Sequence, residues 1–243
     1  AFNSNVARSP RAVSGCDEPA LACLYLLKAS FRPYAPYLWN TALTLPRKSP
    51  PEGYLDFAHW LADLSGAAIR PYFRRTLAVK NKAGNAGFDP VTAADRAAER
   101  VIRAAIAKRF PDHGILGEEF AAVPGAGRYQ WLVDPIDGTR AFIMGSPLWG
   151  TLIGLVENGK PLLGLMDQPF TRERFWASKG IARMRAPDGR TRRLRTRGCA
   201  GLGEAVLTST HPDLFGSQKE LSAFARLKVR ARLTRYGGDC YGY

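Results

Sequence analysis

The segment Trp131 to Thr139 constrains this chain more than any other. Trp131, Leu132 and Val133 form an apolar run that reads as a short buried strand, and Pro135 and Gly138 then break it. Two carboxylates, Asp134 and Asp137, leave the strand with the Ile136 carbonyl between them and the Thr139 hydroxyl just beyond. A fold that accepts this segment ends a buried strand in a cluster of hard oxygen donors. Such donors suit Mg²⁺, which takes carboxylates, carbonyls, waters and substrate phosphate. Taken alone the pattern is ambiguous, because Asp, Pro and Gly also build ordinary turns.

The chain has 243 residues, of which 46% are hydrophobic, enough to bury a core as one large α/β domain or two small ones. No apolar run approaches the ~18 residues that span a bilayer; the nearest, Ala20 to Leu27, stops at Lys28. The formal charge is +14, with arginines crowded late: Arg183, Arg185, Arg190, Arg192, Arg193, Arg195 and Arg197, then Arg226, Arg230, Arg232 and Arg235. That field would attract nucleic acid or steer phosphate-bearing substrates. The run around Arg192 lacks the interleaved aromatics of stacked single-strand sites, so a solvated basic face is expected and nucleic acid is not. Cys16, Cys23, Cys199 and Cys240 make no zinc or C-x-x-C spacing. They read as reduced thiols of a cytoplasmic compartment.

Residues 1–52 are rich in proline, poor in acids and without a clear period, so they are expected to be a disordered or targeting extension. Were they a transit peptide, the compartment would be a plastid or another organelle. The start at Ala1 fits a processed, trimmed or partial chain, and residues 53–243 form the expected folded domain.

From Tyr54, Leu55, Ala58, Leu61, Ala62, Leu64, Ala68 and Ile69 recur at helical spacing, giving a helix to about Arg75. A second helix is expected from about Ala93 to Arg109, capped by Thr92, with Val101, Ile102, Ala105 and Ile106 inward. Ile115 to Gly117 reads as a buried strand with Glu118 at its exit. Thr151–Val156 and Leu162–Met166 flank the turn at Asn158-Gly159, a hairpin signal, with a third strand at Arg174–Ala177. A further hairpin is expected around Pro187 to Gly189. A strand at 205–209, a helix at 217–228 and a strand at 229–236 follow. This mixture argues for layered α/β or α+β packing.

Three segments in order, Asp89 to Glu99 (with Thr92 and Asp95), Phe110 to Glu119 and Trp131 to Thr139, resemble the inositol monophosphatase family. The resemblance runs on through Gly150–Leu155 and Pro161–Pro169. Ser209–Phe215 and Arg235–Tyr241 look like the histidinol-phosphate phosphatase branch. It implies an α/β (α+β) layered sandwich of the inositol monophosphatase/sugar phosphatase type, and a phosphomonoesterase that uses two or three Mg²⁺ ions. Glu118, Asp134, Asp137 and the Ile136 carbonyl would be the metal ligands. Asp95 and Thr139 would pair to position the attacking water, with Glu118 in the catalytic set. Ile136, Asp137 and the amides of Gly138 and Thr139 would bind the phosphate, helped by a helix N-terminus near Arg140. Arg235 and Asp239 would contact substrate, Asp239 facing the amine of a histidinol-type ligand. Two residues have bland alternatives: a solvated first-turn acid for Asp95 and a helix N-cap for Asp239.

The family pattern continues past the segment ending at Tyr241 to a further metal-ligating aspartate that this sequence lacks. The resemblance therefore implies a domain incomplete at its C-terminus, weakly active or inactive and poorly stable. The expected activity is histidinol-phosphate hydrolysis in histidine biosynthesis. Inositol-1-phosphate hydrolysis and a truncated, non-catalytic remnant are the alternatives. Family members are often dimers, so a homodimer with a small phosphorylated substrate completes the expectation.

Overall fold

The computed structural model describes residues 53–76, 80–81 and 90–242; the expectations for residues 1–52, including Cys16 and Cys23, fall outside them. Helix α1 spans Tyr54–Ile69 because Phe57, Ala58, Leu61, Ala62, Leu64 and Ile69 share one face and bury it. It stops short of Arg75, as Pro71 has no N–H for the carbonyl four residues back and its ring clashes there. In the turn that follows, Arg74 takes a positive φ of 59° and donates to the Gly145 carbonyl.

Two short strands, β1 (Lys80–Asn81) and β2 (Pro90–Val91), pair antiparallel. Helix α2 (Ala93–Arg109) begins and ends where its periodicity predicts, with Val101, Ile102, Ala105 and Ile106 inward. The Ala94 amide donates to the Thr92 hydroxyl, and the Thr92 amide donates to the Asp95 carboxylate at 2.8 Å. This capping box satisfies amides that a helix start would otherwise leave bare.

The main sheet has seven strands in sequential order. They are β3 (Gly114–Gly117), β4 (Tyr129–Asp137), β5 (Gly150–Glu157), β6 (Lys160–Gln168), β7 (Glu173–Ser178), β8 (Ile181–Arg185) and β9 (Thr191–Arg193). Only β3 and β4 run parallel; the rest is an antiparallel meander. Asn158 and Gly159, with φ of 49° and 75°, make the anticipated tight turn between β5 and β6. Lys179 and Gly180 make a similar one between β7 and β8, at 51° and 72°. Pro187 to Gly189 turn β8 into β9, as expected. Strands β10 (Val206–Ser209) and β11 (Leu233–Tyr236) form a separate parallel pair joined through helix α4 (Gln218–Arg230). The helix thus runs two residues beyond its expected end, and the strand starts later than 229.

Helices α1 and α2 cover one face of the sheet, where Phe57, Leu61, Ile102, Ile106, Trp131, Leu155 and Leu165 form the main core. Each large side chain so buried contributes about 1.5–3 kcal/mol. Leu132, Leu152, Val156, Met166 and Cys240 form a smaller cluster, with Tyr241 packed against it. The architecture is a mixed α/β sandwich. A buried cation pins α1 to the sheet: Arg174 on β7 donates to Asp167 on β6 and to Asp63 on α1, each at 2.6 Å, and to the His59 carbonyl at 3.0 Å. No described helix is long and apolar enough to cross a membrane.

Candidate active site

Strand β4 delivers the acids. Between Asp134 and Asp137 it advances three residues while β5 advances two, from Leu152 to Gly150, so β4 bulges there. Pro135 sits in the bulge, where a residue without an N–H costs the ladder least. Its carbonyl accepts from the Thr151 hydroxyl at 2.8 Å. Ile136 is buried beside Phe142 and Trp149 and anchors the loop. Gly138 closes it with φ of 88°, and a methyl group there would lie 2.6 Å from the Leu148 carbonyl oxygen and 3.2 Å from Asp239 Cβ. Only glycine fits both the backbone and the space. The short helix α3 (Thr139–Ile143) follows.

Five acids from four places gather here: Asp95 on α2, Glu118 after β3, Asp134 and Asp137 at the end of β4, and Asp239 near the last described residue. Burial first, then the charges of Glu118 and Asp137, a hydrogen bond with Glu118 and the charge of Asp95 together push the Asp134 carboxyl well above its ordinary value. Burial, Asp239 and Glu118 push Asp137 up to about 7, against a hydrogen bond from the Gly138 amide. Burial raises Asp239 as well, and Arg140 opposes it. Buried Asp134 Oδ1 and Asp137 Oδ2 have no hydrogen-bond partner. Two acceptor oxygens held so, among mutually repelling carboxylates, have the chemistry that suits a hard cation such as Mg²⁺. Among the described residues no three His, Cys, Asp or Glu side chains already stand in ligating geometry.

Other site expectations meet mixed outcomes. Asp95 is not a solvated acid: it is 2% exposed and closes the capping box. The Thr139 hydroxyl donates to the Ile136 carbonyl at 3.0 Å, so its single proton is not directed at Asp95. That carbonyl keeps a second lone pair for a ligand. The Gly138 amide is turned to Asp137, and α3 has only five residues, so its dipole adds little for a phosphate. Asp239 reaches the site from the far end of the chain. It is the first residue of a single 3₁₀ turn, Asp239–Tyr241, at φ 44°, and it is not that turn's N-cap. Arg235 lies exposed on β11, paired with Thr208. The parallel β10–β11 register thus sets Arg235 in the small second sheet, and no described contact joins it to the acids. His59 faces Arg174, and His113 stacks on Phe110 with ring centres 4.6 Å apart; neither takes part in the site. Sequence reasoning missed Glu99, buried on α2, and the Arg174 pin. An acid four residues after Asp95 was the available signal for the first.

Residues 51–242 match the model of the inositol monophosphatase family. The chain is 40% identical over 186 residues to the bifunctional phosphatase IMPL2, chloroplastic, of Arabidopsis thaliana, covering 75% of this chain and 51% of that protein. It is 35% identical over 190 residues to a histidinol-phosphatase of Chlorobaculum parvum, covering 78% and 71%. Among solved structures, an inositol monophosphatase from Zymomonas mobilis is 42% identical, with a TM-score of 0.63, covering 76% of this chain and 68% of that one. The chain spans about half the length of the Arabidopsis relative.

Proposed function

The chain belongs to the inositol monophosphatase family of phosphoric monoester hydrolases, and on that premise we propose that residues 53–243 hydrolyse a small phosphomonoester with Mg²⁺ held by Glu118, Asp134, Asp137 and the Ile136 carbonyl. The observation that carries the proposal is the pair of buried, partnerless oxygens, Asp134 Oδ1 and Asp137 Oδ2, among further acids. Bound there, Mg²⁺ supplies charge neutralisation for the phosphate and an activated water. Asp95, locked by the capping box, and Thr139, at the start of α3, orient that water. Gly138 lets the substrate approach the backbone closely.

The substrate we favour is histidinol phosphate. Proteins named histidinol-phosphatase in Chlorobaculum parvum and Mycobacterium tuberculosis are 35% and 40% identical to this chain. Asp239, half-buried beside Asp137, offers an anion to the substrate amine. Phosphate release from histidinol phosphate and from inositol 1-phosphate, each with Mg²⁺, tests the choice. A higher kcat/KM for histidinol phosphate, lowered in Asp239→Asn, is expected; faster inositol 1-phosphate hydrolysis would overturn it.

A further inference from the structure

Glu118 sits in a short loop, Glu118 to Phe120, that leaves β3 and belongs to no strand or helix. What holds that loop comes from α2. Glu99, 0% exposed, accepts the Glu119 amide at 2.7 Å through Oε2. Its Oε1 accepts from Arg103 Nε at 2.7 Å, and Arg103 Nη2 donates to the Phe120 carbonyl at 2.9 Å. The Arg103 guanidinium also lies over the Phe120 ring, 5.7 Å from its centre. One ion pair therefore grips the loop on both sides of Glu119, by an amide and by a carbonyl. Gly117 makes the approach possible, because a methyl group there would overlap the Glu99 carboxylate.

Asp95, Glu99 and Arg103 are spaced four residues apart and form one stripe of α2. The helix that presents Asp95 to the acid cluster thus also fixes the loop that carries Glu118, through the Glu119 amide and the Phe120 carbonyl. We propose that the buried Glu99–Arg103 pair is a positioning device that sets Glu118 against Asp134 and so sets the affinity of the metal site. The inference rests on the metal-site reading above. Glu99 touches neither metal nor substrate; it acts through the loop that carries Glu118. An ion pair buried merely for stability is a weak device, since an apolar pair of the same volume often serves as well. A pair whose remaining bonds go to a ligand-bearing loop has a use that an apolar pair lacks.

The test is Mn²⁺ binding to the whole chain, read by electron paramagnetic resonance, with thermal unfolding in EDTA as a second readout. Variants are Glu99→Gln, Arg103→Lys and the core change Ile106→Val on the same helix. Partners of this kind alter metal affinity about 10- to 100-fold when mutated. Glu99→Gln should weaken Mn²⁺ about 10-fold, and Arg103→Lys, which keeps the charge but loses the fork, should weaken it less. Ile106→Val should lower the melting temperature and leave the affinity unchanged. Wild-type affinity in Glu99→Gln, or an equal loss in Ile106→Val, would overturn the inference while leaving the metal site standing. No Mn²⁺ binding by the wild type would overturn the metal-site reading, and the positioning role with it.

Discussion

Removing one charge from the acid cluster should make the metal-free protein more stable while disabling its site. Asp137 is the residue to change, because its folded-state pKa rises from 3.8 to about 7. Burial is the largest cause, followed by Asp239 and Glu118, with the Gly138 amide opposing. A raised carboxyl pKa means that folding favours the protonated acid. Its stabilising share is fully present below pH ~3.8 and is lost as the pH rises through about 7. A shift of about three units at ~1.4 kcal/mol per unit sets a ceiling of about 4 kcal/mol. Relaxation and residual solvent contact around the carboxylate bring the expected effect down to about 2 kcal/mol. The Asp137→Asn side chain, isosteric and neutral at every pH, escapes that loss. Urea unfolding in EDTA at pH 5 and pH 8.5 should show the gap between Asp137→Asn and wild type widening with pH, from about 0.7 kcal/mol at pH 5, where about a third of the loss has occurred. At pH 8.5 the variant should be about 2 kcal/mol more stable. Mg²⁺ should raise the wild-type midpoint, by about 2.7 kcal/mol at 100 times its Kd, and leave the variant nearly unmoved. A variant equal to or weaker than wild type at pH 8.5 would mean that Asp137 is well solvated, and the electrostatic reasoning would fail.

Arg174→Met should cost about 3–5 kcal/mol in a urea titration, because it strands the buried Asp167 without its cation; Asp167→Leu combined with Arg174→Met should recover most of that. Gly138→Ala should destabilise by about 2–4 kcal/mol and abolish phosphate release, since φ of 88° and the Leu148 carbonyl both oppose a side chain. His59 is held down to about 4 by burial first and then by Arg174. Below pH ~6.5 the unfolded chain takes the proton before the folded one. Stability therefore falls as pH drops from about 6.5 towards 4, by about 1–2 kcal/mol once partial exposure is discounted. His59→Gln should flatten that slope in urea titrations run across the window.

Local chemistry explains what was legible beforehand. Helix α2 has a strong period, a Thr92 cap and a proline–glycine stop, and its observed limits match. Asn158-Gly159 demands positive φ at two residues, so the β5–β6 hairpin was readable, while the Lys179-Gly180 turn carries no such side-chain preference. Helix α1 was extended too far because its apolar pattern outlasts its hydrogen bonds at Pro71. The acids Glu118, Asp134, Asp137 and Asp239 were legible as candidates from their segments; β4 carries two of them, and the loop after β3 and the 3₁₀ turn at Asp239 bring the others near. Their contacts were less accessible. The Thr139 proton choice depends on backbone geometry after Gly138, and the exposure of Arg235 depends on the β10–β11 register. Glu99 on a helix and Arg174 on a strand look like solvated charges until the β3 exit loop and Asp167 are placed against them.

The central claim is that the acids at the end of β4 hold Mg²⁺ for phosphomonoester hydrolysis. Phosphate release by this chain, with and without Mg²⁺ and beside Asp134→Asn, tests it most directly. Mg²⁺-dependent release that Asp134→Asn loses, with both proteins folded by circular dichroism, is the expected result. Equal release with EDTA, or an Asp134→Asn variant as active as wild type, would contradict the account.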